Sequence, residues 1–265
     1  VCDKLQRLVR NRSGCAPRLE VAATAEVEDQ ESSDKGTGRM VVDDRFKQHA
    51  ANALELIDGL RPWTDGFTRP EIICRFPEFK TVVGYAVTVE IASAVPGRKS
   101  VPRPDYWDSI VAQPYPRMIV IHDRDEKPLG SFWGEVNGAV AKGLGAVGVV
   151  TDGTVRDLDE VRDMGFQFLS KEVCVSHAYV HAEALGTAIE IAGMKVSPGD
   201  LIAADKHGAI QIPLDVARDV PRLAELMGRY EAPMIKAAQA PGVTPVTLAA
   251  AAAEQAKIRT NNAAY

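Results

Sequence analysis

The sequence predicts an α/β domain with a β-α-β core and mixed sheets. Met118 to His122 (M-I-V-I-H) is a short, apolar, β-branched run, the pattern of a strand buried on both faces. Val136 to Leu144 then has helical spacing, ended by Gly143 and Gly145, and Ala146 to Thr151 (A-V-G-V-V-T) is a second buried run. Further short strands follow this unit, which disfavours a plain doubly wound sheet. They point instead to a mixed sheet packed on another sheet, with helices on one side. The crossover itself is expected to be right-handed.

Taken from the amino terminus, residues 1–44 mix polar residues with an acidic stretch, E-V-E-D-Q-E-S-S-D-K-G-T-G, and lack apolar periodicity. A disordered or loosely attached extension is expected there. Arg45 to Leu60 has helical spacing (Phe46, Ala50, Ala53, Leu54, Ile57), closed by Gly59 and Pro62. Val82 to Ile91 is a strand, Pro96 to Pro104 a loop, and Tyr106 to Ala112 a short helix. A glycine-broken loop joins the strand at His122 to Gly134-Glu135. Past the central unit, Asp157 to Met164 is a short helix, Phe166 to Leu169 a strand, and Cys174 to Glu183 alternates with period two. Ala188 to Ala192, Leu201 to Ala204 and Ala209 to Ile212 are strands set off by the turns Ser197-Pro198-Gly199-Asp200 and Lys206-His207-Gly208. Asp215 to about Tyr230 is an amphipathic helix, and residues 236–265 form an alanine-rich tail.

A chain of 265 residues with 46% hydrophobic and 25% charged residues can bury one sizeable core. Its net charge of -5, with no basic cluster, argues against a nucleic-acid surface and for a small-molecule partner. No apolar run reaches the ~18 residues of a membrane helix. The first residues, V-C-D-K-L-Q-R, lack a signal-peptide core, so a cytoplasmic protein is expected. Cys2, Cys15, Cys74 and Cys174 have no metal-binding or redox spacing and read as reduced, mostly buried thiols.

Two parallel strands place the loop bearing Glu135 and the loop bearing Arg156-Asp157 at the same carboxyl edge, where open α/β sheets bind ligands. Asp157 opens a helix, and the helix dipole favours a carboxylate there with or without chemistry. Its company is what suggests chemistry: Arg156 just before it, Glu160 one turn on, and Glu135 at the matching edge. Carboxylates crowding one arginine repel one another unless a divalent cation joins them, and oxygen-only donors suit Mg2+ or Mn2+. The Arg156 fork matches a 2-keto acid carboxylate, and the backbone N–H groups of Val136 and Asn137 at a helix start add an anion cradle.

Other patterns carry less. Gly143-Leu144-Gly145-Ala146-Val147-Gly148 spells G-x-G-x-x-G but ends a helix and enters a strand, the reverse of a dinucleotide fingerprint. His177, Tyr179, His181 and Glu183 alternate with Ala178, Val180 and Ala182 as one polar strand face, either a surface or subunit contact or the lining of a substrate cleft. Asp205-Lys206-His207-Gly208 reads as a turn. G-x-S-x-G, a phosphate-binding loop and a catalytic-cysteine signature are all missing from the sequence.

The run W-G-E-V-N-G...V-T-D-G-T-V-R-D-L-D-E resembles the RraA-like family, which includes the regulator of ribonuclease E activity and the 4-hydroxy-4-methyl-2-oxoglutarate aldolases. V-V-G-Y-A-V-T-V at Val82 to Val89 and V-S-P-G-D-L-I-A-A-D-K-H-G at Val196 to Gly208 support it, over residues 45–235. The resemblance implies a swivelling β/β/α fold, assembled as a homotrimer or a dimer of trimers with active sites between subunits. It also implies a Mg2+- or Mn2+-dependent lyase that cleaves a 4-hydroxy-2-keto acid to release pyruvate, with oxaloacetate decarboxylation as a side activity. In that reading Asp157 holds the metal, Glu135 and Glu160 act on it through water, and Glu231 reaches it from a neighbouring subunit. Arg156, with the Val136 and Asn137 amides, grips the keto acid. The family's aldolases have aspartate where this chain has Glu135, one methylene longer. Two alternatives stand beside this reading: a non-catalytic regulator that binds a ribonuclease or other protein, and a metal-dependent eliminase or hydratase acting on an oxidised sugar. For the latter, His177 and His181 are the place to seek an acid or base.

Overall fold

The computed structural model describes residues 66–96 and 100–261. The expected helix at 45–60, the extension before it, Cys2 and Cys15 lie outside the described residues. These residues divide into two compact units, one ending at Leu214 and one beginning at Asp215.

The first unit runs β1 (Ile73–Cys74), β2 (Val82–Ala92), α1 (Arg103–Ala112), β3 (Arg117–Asp123), β4 (Ser131–Trp133), α2 (Glu135–Gly143), β5 (Ala146–Val155) and α3 (Leu158–Met164). It continues with β6 (Gln167–Val173), β7 (His181–Leu185), β8 (Ile189–Ile191), β9 (Met194–Val196), β10 (Leu201–Asp205) and β11 (Gly208–Ile212). The main sheet is mixed and has the order β1-β6-β5-β3-β2-β10-β11. β2, β3, β5 and β6 are parallel at its centre, with antiparallel strands at both edges. β7 pairs antiparallel with β2, β4 pairs parallel with β5, and β8 and β9 form a separate hairpin sheet.

The two faces of the central strands explain their uninterrupted apolar runs. Ile119 and Ile121 join Val87, Val89, Trp133 and Phe168 in a core completed by Tyr106 and Ile110 of α1, Ala141 of α2 and Val161 of α3. Met118 and Val120 point the other way, into a core with Ile189, Ile191, Met194 and Val196 of the β8–β9 hairpin. Helices, main sheet and small sheet therefore stack as three layers, and a strand in the middle layer has no wet face on which to place polar residues.

Several elements depart from the sequence expectation. β5 runs to Val155, four residues past the expected end at Thr151, and the loop before Gly134 contains β4. The period-two segment from Cys174 is a strand only from His181 onward, because Ala178 takes a left-handed conformation (φ 44°) in a turn. In the second unit, α4 spans Val220–Gln239 instead of starting at Asp215. The stretch read as a tail holds the last turn of α4 and then α5 (Pro245–Asn261). Alanine has the highest intrinsic helix propensity, and the start of α5 is capped. The Thr247 amide donates to Thr244 Oγ1 at 3.2 Å, and the Thr244 amide donates to Thr247 Oγ1 at 3.0 Å. Among the described residues no helix is long and apolar enough to cross a membrane.

Candidate functional site at the end of β5

β4, which the sequence did not reveal, is what positions the site. Pairing between β3 and β5 ends at Ile121 and Thr151, after which β5 shifts register and takes β4 as its neighbour. Ser131 faces Thr154 and Trp133 faces Val155 in this second pairing. The Ser131 and Thr154 hydroxyls lie 2.9 Å apart, and the Arg156 amide donates to the Trp133 carbonyl at 2.9 Å. Gly134-Glu135 and Arg156-Asp157 thus leave two adjacent parallel strands side by side. Trp133 fixes this end of the sheet from below: it is fully buried, stacked on Phe166 at 5.8 Å between ring centres and edge-on to Phe168 at 6.1 Å.

Asp157 is the N-cap residue of α3, in a left-handed conformation (φ 53°, ψ 48°), and its side chain makes no capping hydrogen bond to its own helix. The carboxylate turns instead to the start of α2, where the Glu135 amide donates to Oδ2 at 2.9 Å. Aspartate tolerates this conformation better than most residues, and such a strained position invites a functional explanation. Asp157 therefore leaves its own helix uncapped and serves a free amide at the start of α2.

Arg156 Nε sits 3.9 Å from Asp157 Oδ2. That nitrogen is buried and has no hydrogen-bond acceptor among the described residues. A donor held out of water without an acceptor is costly, and a bound anion would remove the cost. The room for this arrangement comes from Gly134, because a Cβ there would collide with Asp157 Oδ2 and stand 3.1 Å from Arg156 Cγ and Nε. Gly134→Ala is expected to displace Arg156 and Asp157 and to abolish ligand binding while leaving the unfolding transition largely intact. Calorimetric titration and thermal melts of the same variant check both halves.

The remaining predicted residues divide clearly. Val136 is exposed and Glu135 and Glu160 are exposed at the first turns of α2 and α3. Asn137 anchors its side chain to the Phe132 carbonyl at 2.5 Å. The ladder of α2 begins with the Gly138 amide on the Gly134 carbonyl, so the amides of Val136 and Asn137 precede its first bond. Glu231 stands on α4 in the other compact unit. His177 lies in the turn, with Nδ1 2.7 Å from the Ala178 carbonyl; His181 opens β7, with Nε2 3.4 Å from Glu183 Oε1.

Among the described residues no three His, Cys, Asp or Glu side chains are grouped closely enough to enclose a metal ion. The gathering is thus narrower than the expected crowd of carboxylates: Asp157 beside Arg156, with Glu135 contributing its amide. The donors are hard oxygens open to solvent, which fits a cation such as Mg2+ that keeps most of its water and takes one or two protein carboxylates. It does not fit a metal needing a closed cage.

A cluster that the sequence left without a role lies where β3 ends. His122 Nδ1 is 2.7 Å from Asp152 Oδ2, and the Asp123 amide donates to Asp152 Oδ1 at 2.7 Å. Asp123 is 4% exposed, its Oδ1 accepts from the Asp125 amide, and its buried Oδ2 has no hydrogen-bond partner among the described residues. Burial, reinforced by the charges of Asp125 and Asp152, pushes its carboxyl up to about 6. The visible signal was an ionisable pair, His122-Asp123, ending an otherwise apolar strand.

Residues 53–211 match the RraA-like family (Aldolase/RraA). The chain is a member of the RraA-like family. An uncharacterized protein of Methanocaldococcus jannaschii is 32% identical over 83 residues, which is 31% of this chain and 40% of the relative. The match thus spans well under half of that curated relative's length. Among solved structures, an uncharacterized protein from Pseudomonas syringae pv. tomato is similar with a TM-score of 0.58 and 25% identity, covering 77% of this chain and 91% of its own. RraAS2 of Streptomyces coelicolor, described as an unusual member of the RNase ES inhibitor RraA protein family, has a TM-score of 0.55 and 22% identity, covering 69% and 89%. The family contains both aldolases and ribonuclease inhibitors, so membership leaves the activity to be argued from the site.

Proposed function

We propose that the protein is a divalent-metal-dependent lyase that cleaves a 4-hydroxy-2-keto acid by retro-aldol chemistry, releasing pyruvate. The observation that carries this reading is the turn of Asp157 away from its own helix toward the start of α2, beside a buried Arg156 Nε that has no acceptor among the described residues. Asp157 would hold Mg2+ or Mn2+, with Glu135 and Glu160 acting on it through water. The cation would supply Lewis-acid polarisation of the substrate's 2-keto oxygen. Arg156 and the amides of Val136 and Asn137 bind and orient the keto-acid carboxylate. As the C3–C4 bond breaks, its electron pair passes toward the 2-keto oxygen, where the Arg156 guanidinium meets the developing charge. The C4 hydroxyl proton leaves to a base as that carbon becomes the released carbonyl, and C3 is then protonated to give pyruvate. Glu135 is exposed at this edge and is the carboxylate we assign to that first proton, directly or through water.

Pyruvate release from oxaloacetate and from 4-hydroxy-2-keto acids, assayed with Mg2+ and with a chelator, tests the reading. Turnover that Mg2+ restores after chelation is expected. Silence across the panel, with stoichiometric capture of a ribonuclease, would favour a non-catalytic regulator instead. The assembly in this reading is a homotrimer or a dimer of trimers, in which Glu231 of one subunit would serve the site of the next.

A further inference from the structure

The candidate site depends on an exchange of neighbours within one strand. β5 is paired with β3 through Thr151 and with β4 from Thr154, and between them the backbone of Asp152 and Gly153 belongs to neither ladder. The backbone donor at the end of β3, the Asp123 amide, is taken by the Asp152 carboxylate in place of a strand carbonyl. The second oxygen of Asp152 is held by His122. Gly153 keeps the junction tight, since a Cβ there would lie 3.1 Å from Asp123 Oδ2. Three residues beyond Gly153 the chain reaches Arg156.

We propose that Asp152, clamped between the His122 imidazole and the Asp123 amide, is a positioning residue that fixes where β5 passes from β3 to β4 and so sets the placement of Arg156 and Asp157. The proposal rests on the lyase reading for its consequence in turnover, though not for its structural content. From Asp152 to Arg156 is roughly 13 Å of extended strand, so Asp152 acts through the backbone and not on the substrate.

The His122 imidazole of the clamp and the Asp123 carboxyl beside it both hold their protons more tightly than usual. Asp123 is faced by Asp125 and His122 on its own segment and by Asp152 on β5, and His122 by Asp123 beside it, by Asp152 and by Glu90 on β2. Glu90 is itself paired to Arg124, which also reaches Glu183, and His181 on β7 faces Asp125. The hydrogen bond that the His122 imidazole donates to Asp152 raises His122 above its ordinary value of 6.5, opposed by burial and aided by the Asp152, Glu90 and Asp123 charges. Both shifts run upward, so both groups stabilise the folded junction most when protonated. The Asp123 contribution is complete below its ordinary 3.8 and is lost as pH rises to about 6. That of His122 is complete below 6.5 and is lost as pH rises through its raised folded value.

Hydrogen exchange on the full chain, corrected for intrinsic rates, reads the junction without any substrate. In the unaltered protein, protection of amides 131–136 and 153–157 is expected to fall as pH rises above 3.8 through about 6 for Asp123 and on through the raised value of His122. Asp152→Asn and His122→Gln are expected to lower protection in these two segments alone and to flatten its pH dependence. Asp123→Asn, which cannot ionise, is expected to remove the lower part of that dependence. In turnover, Asp152→Asn is expected to lose on the order of 10- to 100-fold in kcat/KM through misplacement of Arg156. The proposal is overturned if both Asp152→Asn and His122→Gln keep the original protection and its pH profile, or if protection is lost uniformly over the chain. A protein silent toward every keto acid would sink the lyase reading, while the exchange measurement would still decide this one.

Discussion

Arg156→Ala is expected to reduce metal-dependent pyruvate release by on the order of 10²–10³-fold, the scale seen when one donor to a developing oxyanion is removed. The guanidinium is asked to do two things, hold the substrate carboxylate and meet negative charge at the reacting oxygen, so both KM and kcat should worsen. Its Nε is already buried, with no acceptor among the described residues, so the donor is in place before any ligand arrives. Preorganised donors of this kind contribute because they need no rearrangement at the moment of reaction. Arg156→Lys would keep the charge but lose the planar fork, and should recover only part of the loss. Steady-state kinetics on oxaloacetate and a 4-hydroxy-2-keto acid, with thermal melts to show that the fold survives, make the measurement. An alanine variant that retained most of its turnover would remove Arg156 from the mechanism.

Trp133→Ala is expected to cost about 3–5 kcal/mol of folding stability, as for other large aromatic side chains truncated in a packed core. Trp133 is fully buried and lies against Phe132, Phe166 and Phe168, so the surrounding rings cannot close the space without giving up their own contacts. The same residue supplies the carbonyl that accepts from the Arg156 amide. Loss of stability should therefore be accompanied by loss of ligand binding at concentrations of denaturant far below the unfolding transition. Urea unfolding followed by circular dichroism gives the first quantity and titration calorimetry the second. A cost below about 1 kcal/mol would contradict the packing argument, since such values belong to surface positions.

The β-α-β unit, its parallel strands and the placement of Arg156-Asp157 at a carboxyl edge were legible because buried parallel strands and glycine-ended helices write themselves as local patterns. What escaped was set by partners distant in sequence. β4 is three residues long, too short for any periodicity, and exists only because β5 outruns β3 and offers it a free edge. The extra length of β5 was hidden because T-D-G-T-V lacks the apolar continuity of the strand before it, and its Asp152-Gly153 interruption is a bulge and not an end. Asp157 was read correctly as the start of a helix, but nothing local says that its carboxylate serves a different helix. His122, Asp123 and Asp152 had no legible role because their meaning lies in a clamp across two strands thirty residues apart. The helical character of 245–261 was present in the composition, and was set aside only because alanine gives a helix no recognisable core face.

The most direct test of the account is Mn2+ binding, followed by electron paramagnetic resonance, in the unaltered protein and in Asp157→Asn. One Mn2+ per chain is expected, weakened at least tenfold by Asp157→Asn (about 1.4 kcal/mol) and broadened by added 2-keto acid only while Arg156 is present. Mn2+ affinity that is unchanged in Asp157→Asn, or a spectrum indifferent to keto acid in the unaltered chain, would contradict it.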